Sequence, residues 1–183
     1  MLQPNFIPFP QLETQNLILR KLEFTDAAAL LFLRSNDLVM QHIDKAKMTS
    51  IEDANKLIQL INDGLAEQDS ICWAIVTKEN PNELIGTIGF WHMVKEHYRA
   101  EIGYILHPNF WGKGLMKQAI AATIHYGFGD LNLHSIEANT NPLNTASQKL
   151  LVKNGFVQEA YFKENYYYNG QFLDSAIFSL IKK

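Results

Sequence analysis

Residues 101–120 constrain the fold more than any other stretch, because an apolar strand runs through a Pro/Asn/Gly-rich turn directly into a helix. Gly112 and Gly114 flank Lys113 at the point where the helix is predicted to begin. Glycines let the backbone approach a ligand closely, and the first turn of a helix has unpaired N–H groups at its positive end. The turn is therefore a candidate anion site, with an ordinary strand-to-helix connection as the alternative.

Length and composition predict one globular domain. The chain has 183 residues, of which 47% are hydrophobic and 19% charged, enough for a single substantial core. The net charge of −3 gives no basis for a nucleic-acid partner. No apolar run approaches the ~20 residues of a membrane span, and residues 1–10 lack the basic start of a secretory signal. We expect a cytoplasmic protein without a membrane partner; a monomer and a homodimer are both compatible with the sequence.

Cysteine and histidine offer little independent chemistry. Cys72 is the one cysteine, and its apolar, strand-like surroundings predict a core residue rather than a nucleophile. The segment from His92 to His97 is one residue longer than the zinc motif H-x-x-E-H, and no third ligand follows at a recognisable spacing. We therefore predict no metal site.

The predicted elements alternate as in a mixed α/β protein. Residues 1–13 are predicted to form an extended arm, a helix opens at Thr25 and Asp26 with a break near Asn36, and another helix opens at Ser50 and ends near Gly64. Strands are predicted at residues 17–23, 71–77, 84–92, 99–106, 134–140, 156–168 and 172–181. Two further helices are predicted at residues 114–126 and 141–155. The pattern β-α-α-β-β-β-α-β-α-β-β predicts a mixed sheet with helices on its faces.

Four blocks, in order along nearly the whole chain, carry a family resemblance. They are Leu12-Glu-Thr-Gln-Asn-Leu-Ile-Leu-Arg20, Ala100-Glu-Ile-Gly-Tyr104 with Phe110-Trp-Gly-Lys-Gly114, Asn141-Pro-Leu-Asn-Thr-Ala-Ser147 with Gly155-Phe156, and Asn169-Gly-Gln-Phe-Leu-Asp174. The chain resembles the GNAT superfamily of acyl-CoA-dependent N-acyltransferases, and within it the Rim-type (RimJ/RimL-like) branch. The resemblance implies a single N-acetyltransferase domain over residues 1–183. It also implies a mostly antiparallel sheet that is splayed between two central strands, with helices on both faces.

The same resemblance implies acetyl-CoA as the cosubstrate. Its pyrophosphate is expected on the backbone N–H groups of Gly112, Lys113, Gly114, Leu115, Met116 and Lys117. In the family pattern (Gln/Arg)-x-x-Gly-x-(Gly/Ala), Gly114 matches, whereas Trp111 replaces Gln or Arg and Met116 replaces Gly or Ala. A long side chain at Met116 is expected to affect how closely the phosphates approach.

The strand before the turn is expected to hold the pantetheine arm. In similar proteins this strand is splayed from the next one, and the exposed backbone groups would here belong to Ile105, Leu106 and His107. An amide near Leu106 would then face the thioester carbonyl and stabilise the oxyanion that forms during transfer.

The expected acid is Ser147. Many family members place a Tyr where this chain has Leu151, and Rim-type relatives are similar in lacking it and in having a Ser one turn earlier. Asn144 lies three residues before Ser147 on the same helix face and is expected to hold the coenzyme. The alternative is that Asn144 and Ser147 only cap the helix.

The amine must lose a proton before it attacks, so a carboxylate near the thioester is expected. Glu159 matches a glutamate proposed as the base in the Rim-type group, and Glu101, on the strand that carries the acyl group, is the second candidate. Either residue is equally compatible with a solvated strand position or with binding the cationic amine.

Together these features predict acetyl transfer from acetyl-CoA to a primary amine by direct attack in a ternary complex. An N-terminal α-amino group of a protein or peptide, such as a ribosomal protein, is the expected acceptor. The alternatives are a small amine such as a polyamine or an antibiotic, and a non-catalytic coenzyme A-binding module on the same fold.

Overall fold

The computed structural model describes residues 1–183, which form one eight-stranded sheet flanked by five α-helices. The strands are β1 (Leu12–Glu13), β2 (Leu17–Lys21), β3 (Ile71–Thr77), β4 (Gly86–Val94), β5 (Arg99–Leu106), β6 (Ser135–Thr140), β7 (Val157–Tyr168) and β8 (Gln171–Ile181). The helices are α1 (Ala27–Ser35), α2 (Asp37–Met40), α3 (Ile51–Ala66), α4 (Leu115–Phe128) and α5 (Thr145–Lys153).

The sheet is divided near its middle. Its order is β1-β2-β3-β4-β5-β6-β8-β7, and every neighbouring pair is antiparallel except β5 and β6. These two strands run parallel and pair only through Arg99 to Glu101 with Ser135 to Glu137. Beyond that point β6 continues beside β8 as far as Thr140, while the end of β5 has no partner on that side. The predicted mixed sheet, splayed between two central strands, is confirmed.

The two faces of the sheet are covered differently. The first face packs against α4 and α5 through a large core that includes Trp73, Phe90 and Phe178. The second face is covered by α1 and α3 only over part of its width, and a smaller core lies there. On β6 burial alternates, so that Ile136 is buried on the first face while Glu137 on the second face is partly exposed. The β6 to β7 half of the second face is therefore open.

The predicted core role of Cys72 is confirmed. Its side chain is buried in the smaller core, where loss of solvent raises the pKa of the thiol to about 12. The thiol therefore stays protonated at neutral pH and is no nucleophile.

The N-terminal arm is anchored rather than free. Leu2 and Phe6 are buried in the larger core, and the Phe6 N–H donates to Gln68 Oε1 at 3.0 Å. The arm also contains β1, a short strand that the sequence did not predict.

Helix starts follow their capping signals. Ser50 and Asp53 form a reciprocal capping box at the start of α3, and Asn36 Oδ1 accepts from two N–H groups at the start of α2, which confirms the predicted break. The predicted end at Gly64 is wrong, because α3 continues to Ala66. None of the helices combines the length and hydrophobicity needed to cross a membrane.

Candidate active site

The turn between β5 and α4 presents a row of unpaired backbone donors. Gly112 and Gly114 have φ angles of 72° and 73°, a left-handed conformation that favours glycine, and α4 begins directly after Gly114. No protein acceptor is hydrogen-bonded to the N–H groups of residues 112–117. A Cβ atom on either glycine would meet nothing within 4 Å, so this backbone borders open space. Six unpaired donors at a helix start have the geometry that favours an anion.

The side chain of Met116 does not close this site. Met116 is only 8% exposed and belongs to the core beneath α4, so its side chain points into the protein while its N–H stays unpaired. Lys113 lies above the turn, with Nζ 5.3 Å from the centre of the Phe110 ring. The replacement of Gly or Ala by Met116 therefore leaves the backbone donors accessible.

The end of β5 presents Leu106 to the gap in the sheet. His107 donates its N–H to the Ile85 carbonyl at 2.7 Å, and its own carbonyl accepts from Phe110. Both backbone groups of His107 are therefore engaged, which is a correction to its predicted role. Because backbone groups alternate in direction along an antiparallel strand, Ile105 faces β4, whereas the N–H of Leu106 points into the gap.

Trp111 connects the turn to the strand. Its Nε1 donates to the Leu106 carbonyl at 2.7 Å, which holds the end of β5 against the glycine turn. The indole thus has a structural role at the position where the family pattern has Gln or Arg.

We expect Trp111→Phe to weaken acetyl-CoA binding several-fold, because loss of one hydrogen bond of about 1 kcal/mol loosens the Leu106 backbone relative to the turn. Isothermal calorimetry measures the change. Phe172→Leu, at an exposed site on β8 outside the cavity, serves as the control and should bind as wild type does. Unchanged affinity in Trp111→Phe would contradict the positioning role of the indole.

A cavity of about 620 Å³ joins the glycine turn, the end of β5 and the start of α5. It brings together nine of the residues predicted from sequence, although they span 43 positions of the chain. These are Ile105, Leu106, Gly112, Gly114, Leu115, Met116, Lys117, Asn144 and Ser147, whereas His107, Lys113, Glu101 and Glu159 lie outside its lining.

Tyr104 was not predicted as a site residue, and it lies at the centre of this arrangement. Asn144 Oδ1 accepts from the Ser147 N–H at 3.0 Å, so Asn144 caps α5 and fixes the first turn on which Ser147 stands. The Ser147 hydroxyl is hydrogen-bonded to the Tyr104 hydroxyl at 2.8 Å. Burial raises the pKa of Tyr104 to about 12, although the hydrogen bond with Ser147 acts in the opposite direction.

A second unpredicted wall of the cavity comes from α2 and the residues that follow it. Leu38, Val39, Gln41, His42 and Ile43 line this side. The helix break at Asn36 turns the chain toward the cavity, but no spacing in the sequence connects this segment with residues more than sixty positions later.

The two predicted bases lie in one polar row on the open face of the sheet. Glu101 pairs with Glu137 across β5 and β6, and Glu137 pairs with Ser179 across β6 and β8. The Ser179 hydroxyl donates to Glu159 Oε1 at 2.9 Å, which extends the row to β7. Glu101 also contacts His92, with 3.1 Å between Oε2 and Nδ1. The structure thus brings the two carboxylates onto the same face, outside the cavity.

Comparison with known proteins supports this architecture and its chemistry. Residues 16–157 match the acetyltransferase (GNAT) domain. The chain is 39% identical over 174 residues to the uncharacterized N-acetyltransferase YoaA of Bacillus subtilis, covering 95% of this chain and 98% of YoaA.

Two solved structures have the same fold. One is the ribosomal-protein-S5-alanine acetyltransferase from Vibrio fischeri (TM-score 0.83, 25% identity, 94% of this chain and 96% of the relative). The other is spermidine N-acetyltransferase from Vibrio cholerae in complex with CoA and spermine (TM-score 0.80, 25% identity, 92% of this chain and 96% of the relative). The domain match over most of the chain and the full-length similarity to named N-acetyltransferases agree with the fold, and the chain belongs to the GNAT family as an acetyl-CoA-dependent N-acetyltransferase.

Proposed function

We propose that the enzyme acetylates an N-terminal α-amino group of a protein or peptide, such as a ribosomal protein, by direct attack of the amine on acetyl-CoA. The observation that carries this proposal is that one cavity unites the free N–H groups of Gly112 and of residues 114–117, the gap-facing N–H of Leu106 and the hydroxyl of Ser147. The helix start binds the pyrophosphate, and the gap beside β5 accepts the pantetheine arm.

The backbone and Ser147 divide the chemistry of transfer. When the amine nitrogen attacks the thioester carbon, negative charge develops on the carbonyl oxygen, and the Leu106 N–H stabilises it. As the C–S bond breaks, its electron pair goes to sulfur, and the Ser147 hydroxyl donates its hydrogen there. The surplus proton of the amine leaves to a carboxylate or to water. No covalent enzyme intermediate is required, because both reactants are held together.

The acceptor approaches from the open face of the sheet. Ser147 and Tyr104 lie on the side of α5, so the amine needs the opposite side, where the row from Glu101 through Glu137 to Glu159 provides negative charge. A protonated amine is attracted to such a surface before it loses its proton. The relative from Vibrio fischeri, an S5-alanine acetyltransferase, supports a protein N-terminus as the acceptor.

A polyamine is a second candidate acceptor. Glu101 and Glu159, the two carboxylates of the row that no Arg or Lys contacts, suit a ligand with more than one positive charge, and the relative from Vibrio cholerae acts on spermidine. An N-terminus carries one such charge, so the length and charge of the accepted amine discriminate between the two acceptors.

Calorimetry with acetyl-CoA and thiol release with an amine panel test the proposal. The panel consists of alanine- and serine-terminated peptides, the same peptides with blocked N-termini, spermidine and kanamycin. We expect binding of acetyl-CoA and turnover of the free peptides only. Turnover of spermidine alone would replace the proposed acceptor by a polyamine, and binding without turnover on any amine would overturn catalysis.

The base is tested by pH–rate profiles of Glu101→Gln and Glu159→Gln. The variant that lacks the base should lose the acidic limb of its kcat/KM profile. Its kcat/KM should also fall by about 10²-fold, a usual contribution of a general base. Glu137→Gln is the matched control within the same row, since Arg99 contacts its carboxylate at 3.0 Å. An acidic limb that persists in both test variants would contradict a carboxylate base and direct attention to His42 in the cavity wall.

A further inference from the structure

Either hydroxyl of the Tyr104–Ser147 pair is able to donate the hydrogen bond between them, and the surroundings of Tyr104 favour one direction. The Tyr104 hydroxyl is part-buried, and Ser147 is its only hydrogen-bond partner in the protein. If Ser147 donated, the phenolic hydrogen would have no protein acceptor, and an unpaired donor in a part-buried position costs free energy. If Tyr104 donates, its hydrogen is satisfied, and the hydrogen of Ser147 is free to point into the cavity.

We propose that Tyr104 is a positioning residue that donates its hydroxyl hydrogen to Ser147 Oγ and thereby aims the Ser147 hydrogen at the sulfur of the thioester. The inference rests on the proposed role of Ser147 as the donor to the leaving group. It adds a residue from β5, the strand that also carries Leu106, so one strand orders both the oxyanion donor and the sulfur donor.

The geometry around Ser147 supports this arrangement. Its backbone N–H is fixed by Asn144 Oδ1 at 3.0 Å and its side-chain oxygen by Tyr104 at 2.8 Å, which leaves the hydroxyl hydrogen as its one free donor. A hydroxyl that accepts a hydrogen bond also becomes a stronger donor, because bonds in a chain polarise one another. Ser147 alone would rotate among several orientations, and Tyr104 selects the useful one.

The protonation of Tyr104 does not change over the working pH range. Because burial raises the pKa of Tyr104 to about 12, the phenol keeps its hydrogen at any pH at which the enzyme is assayed. The hydrogen that Ser147 gives to sulfur is replaced at Oγ by one from water at the open side of the cavity, and Tyr104 keeps its own hydrogen throughout. Both residues end the cycle as they began. The contribution of Tyr104 should therefore be independent of pH.

Tyr104→Phe tests the proposal, because it removes the hydroxyl and keeps the ring. We expect kcat with an alanine-terminated peptide or spermidine, whichever turns over, to fall roughly tenfold at both pH 7 and pH 9. The affinity for acetyl-CoA by calorimetry and the melting temperature should stay close to wild type. Tyr126→Phe is the matched control, since Tyr126 is also buried, has a pKa raised to about 12 and lies outside the cavity.

A double-mutant cycle with Ser147→Ala separates positioning from packing. If Tyr104 acts through Ser147, Tyr104→Phe should have no further effect on kcat in the Ser147→Ala background. Multiplicative effects, or an unchanged kcat in Tyr104→Phe while Ser147→Ala is slow, would overturn the inference and leave the role of Ser147 intact. An unchanged kcat in Ser147→Ala would overturn the role of Ser147 and this inference with it but leave acetyl transfer intact, whereas no turnover of either amine would overturn the proposed function.

Discussion

Gly114→Asp is expected to weaken acetyl-CoA binding by about two orders of magnitude, or about 2.7 kcal/mol. Gly114 caps α4 with φ at 73°, and a side chain there would project into the open space in front of the unpaired N–H groups. An aspartate carboxylate would compete for these donors as an internal anion and would repel the pyrophosphate, an interaction of about 4 kcal/mol between unit charges 4 Å apart near a protein surface, which salt reduces further. Calorimetry with acetyl-CoA measures the loss.

Two controls keep this result interpretable. Asp and Asn tolerate the left-handed conformation better than other side chains and are good helix caps, so the fold should survive either substitution. Gly114→Asn therefore isolates the charge and should bind much more tightly than Gly114→Asp. Gly170→Asp adds the same charge at another positive-φ glycine with open space around it, in the turn between β7 and β8, and should bind as wild type does. Equal losses in Gly114→Asn and Gly114→Asp would contradict an anion site.

Ser147→Ala is expected to lower kcat by about 10²-fold while the Kd for acetyl-CoA changes little. The hydroxyl contacts Tyr104 and faces the cavity, whereas the pyrophosphate donors lie on the other side at the glycine turn. The substitution is therefore expected to slow the departure of the thiolate, a step that follows binding, so kcat falls and the Kd changes little. Single-turnover kinetics at saturating acetyl-CoA, together with calorimetry, separates the two quantities.

The capping role of Asn144 supplies the control for this experiment. Ser147 contributes its N–H to the cap, and alanine preserves that N–H, so α5 should keep its start. Ser147→Thr retains a hydroxyl and should recover part of the rate if the hydroxyl itself is the active group. A slow Ser147→Thr variant with normal affinity and stability would point to a strict geometric demand, whereas unchanged turnover in Ser147→Ala would exclude Ser147 as the acid.

Sequence patterns located most elements, and two of their errors concern glycines that serve packing. Gly64 resembles a helix terminator in the sequence, but it lies inside α3. The position requires glycine because a Cβ there would collide with the Ser70 hydroxyl. Gly127 lies inside α4 for the same kind of reason, since a Cβ would come within 2.7 Å of the Phe90 ring. A glycine that ends a helix and one that admits a close neighbour are identical in a sequence, and only the neighbour distinguishes them.

The predicted site residues that lie together in the structure are those for which the resemblance supplied a local pattern, and their roles remain predictions. The glycine turn and Ser147 each belong to a contiguous motif, and the structure places them in one cavity. Tyr104 also belongs to such a motif, but the motif indicates no role for it, because its partner lies 43 positions later. Glu159 and Glu101 lie in the same polar row only because four strands are in register across the sheet, and no local sequence pattern specifies that register.

The short contact between β5 and β6 also bears on solubility. An unpaired strand edge usually invites another polypeptide to add to the sheet, and β7, the outermost strand, has such an edge on the surface. The free edge of β5 is different, because it faces β6 across a cleft inside the same sheet. In the proposed binding mode a thin, flexible pantetheine chain enters this cleft, whereas the strand of a neighbouring protein would need room that β6 already occupies. The proposed arrangement thus keeps hydrogen-bonding backbone available to the cosubstrate without offering it to other copies of the enzyme.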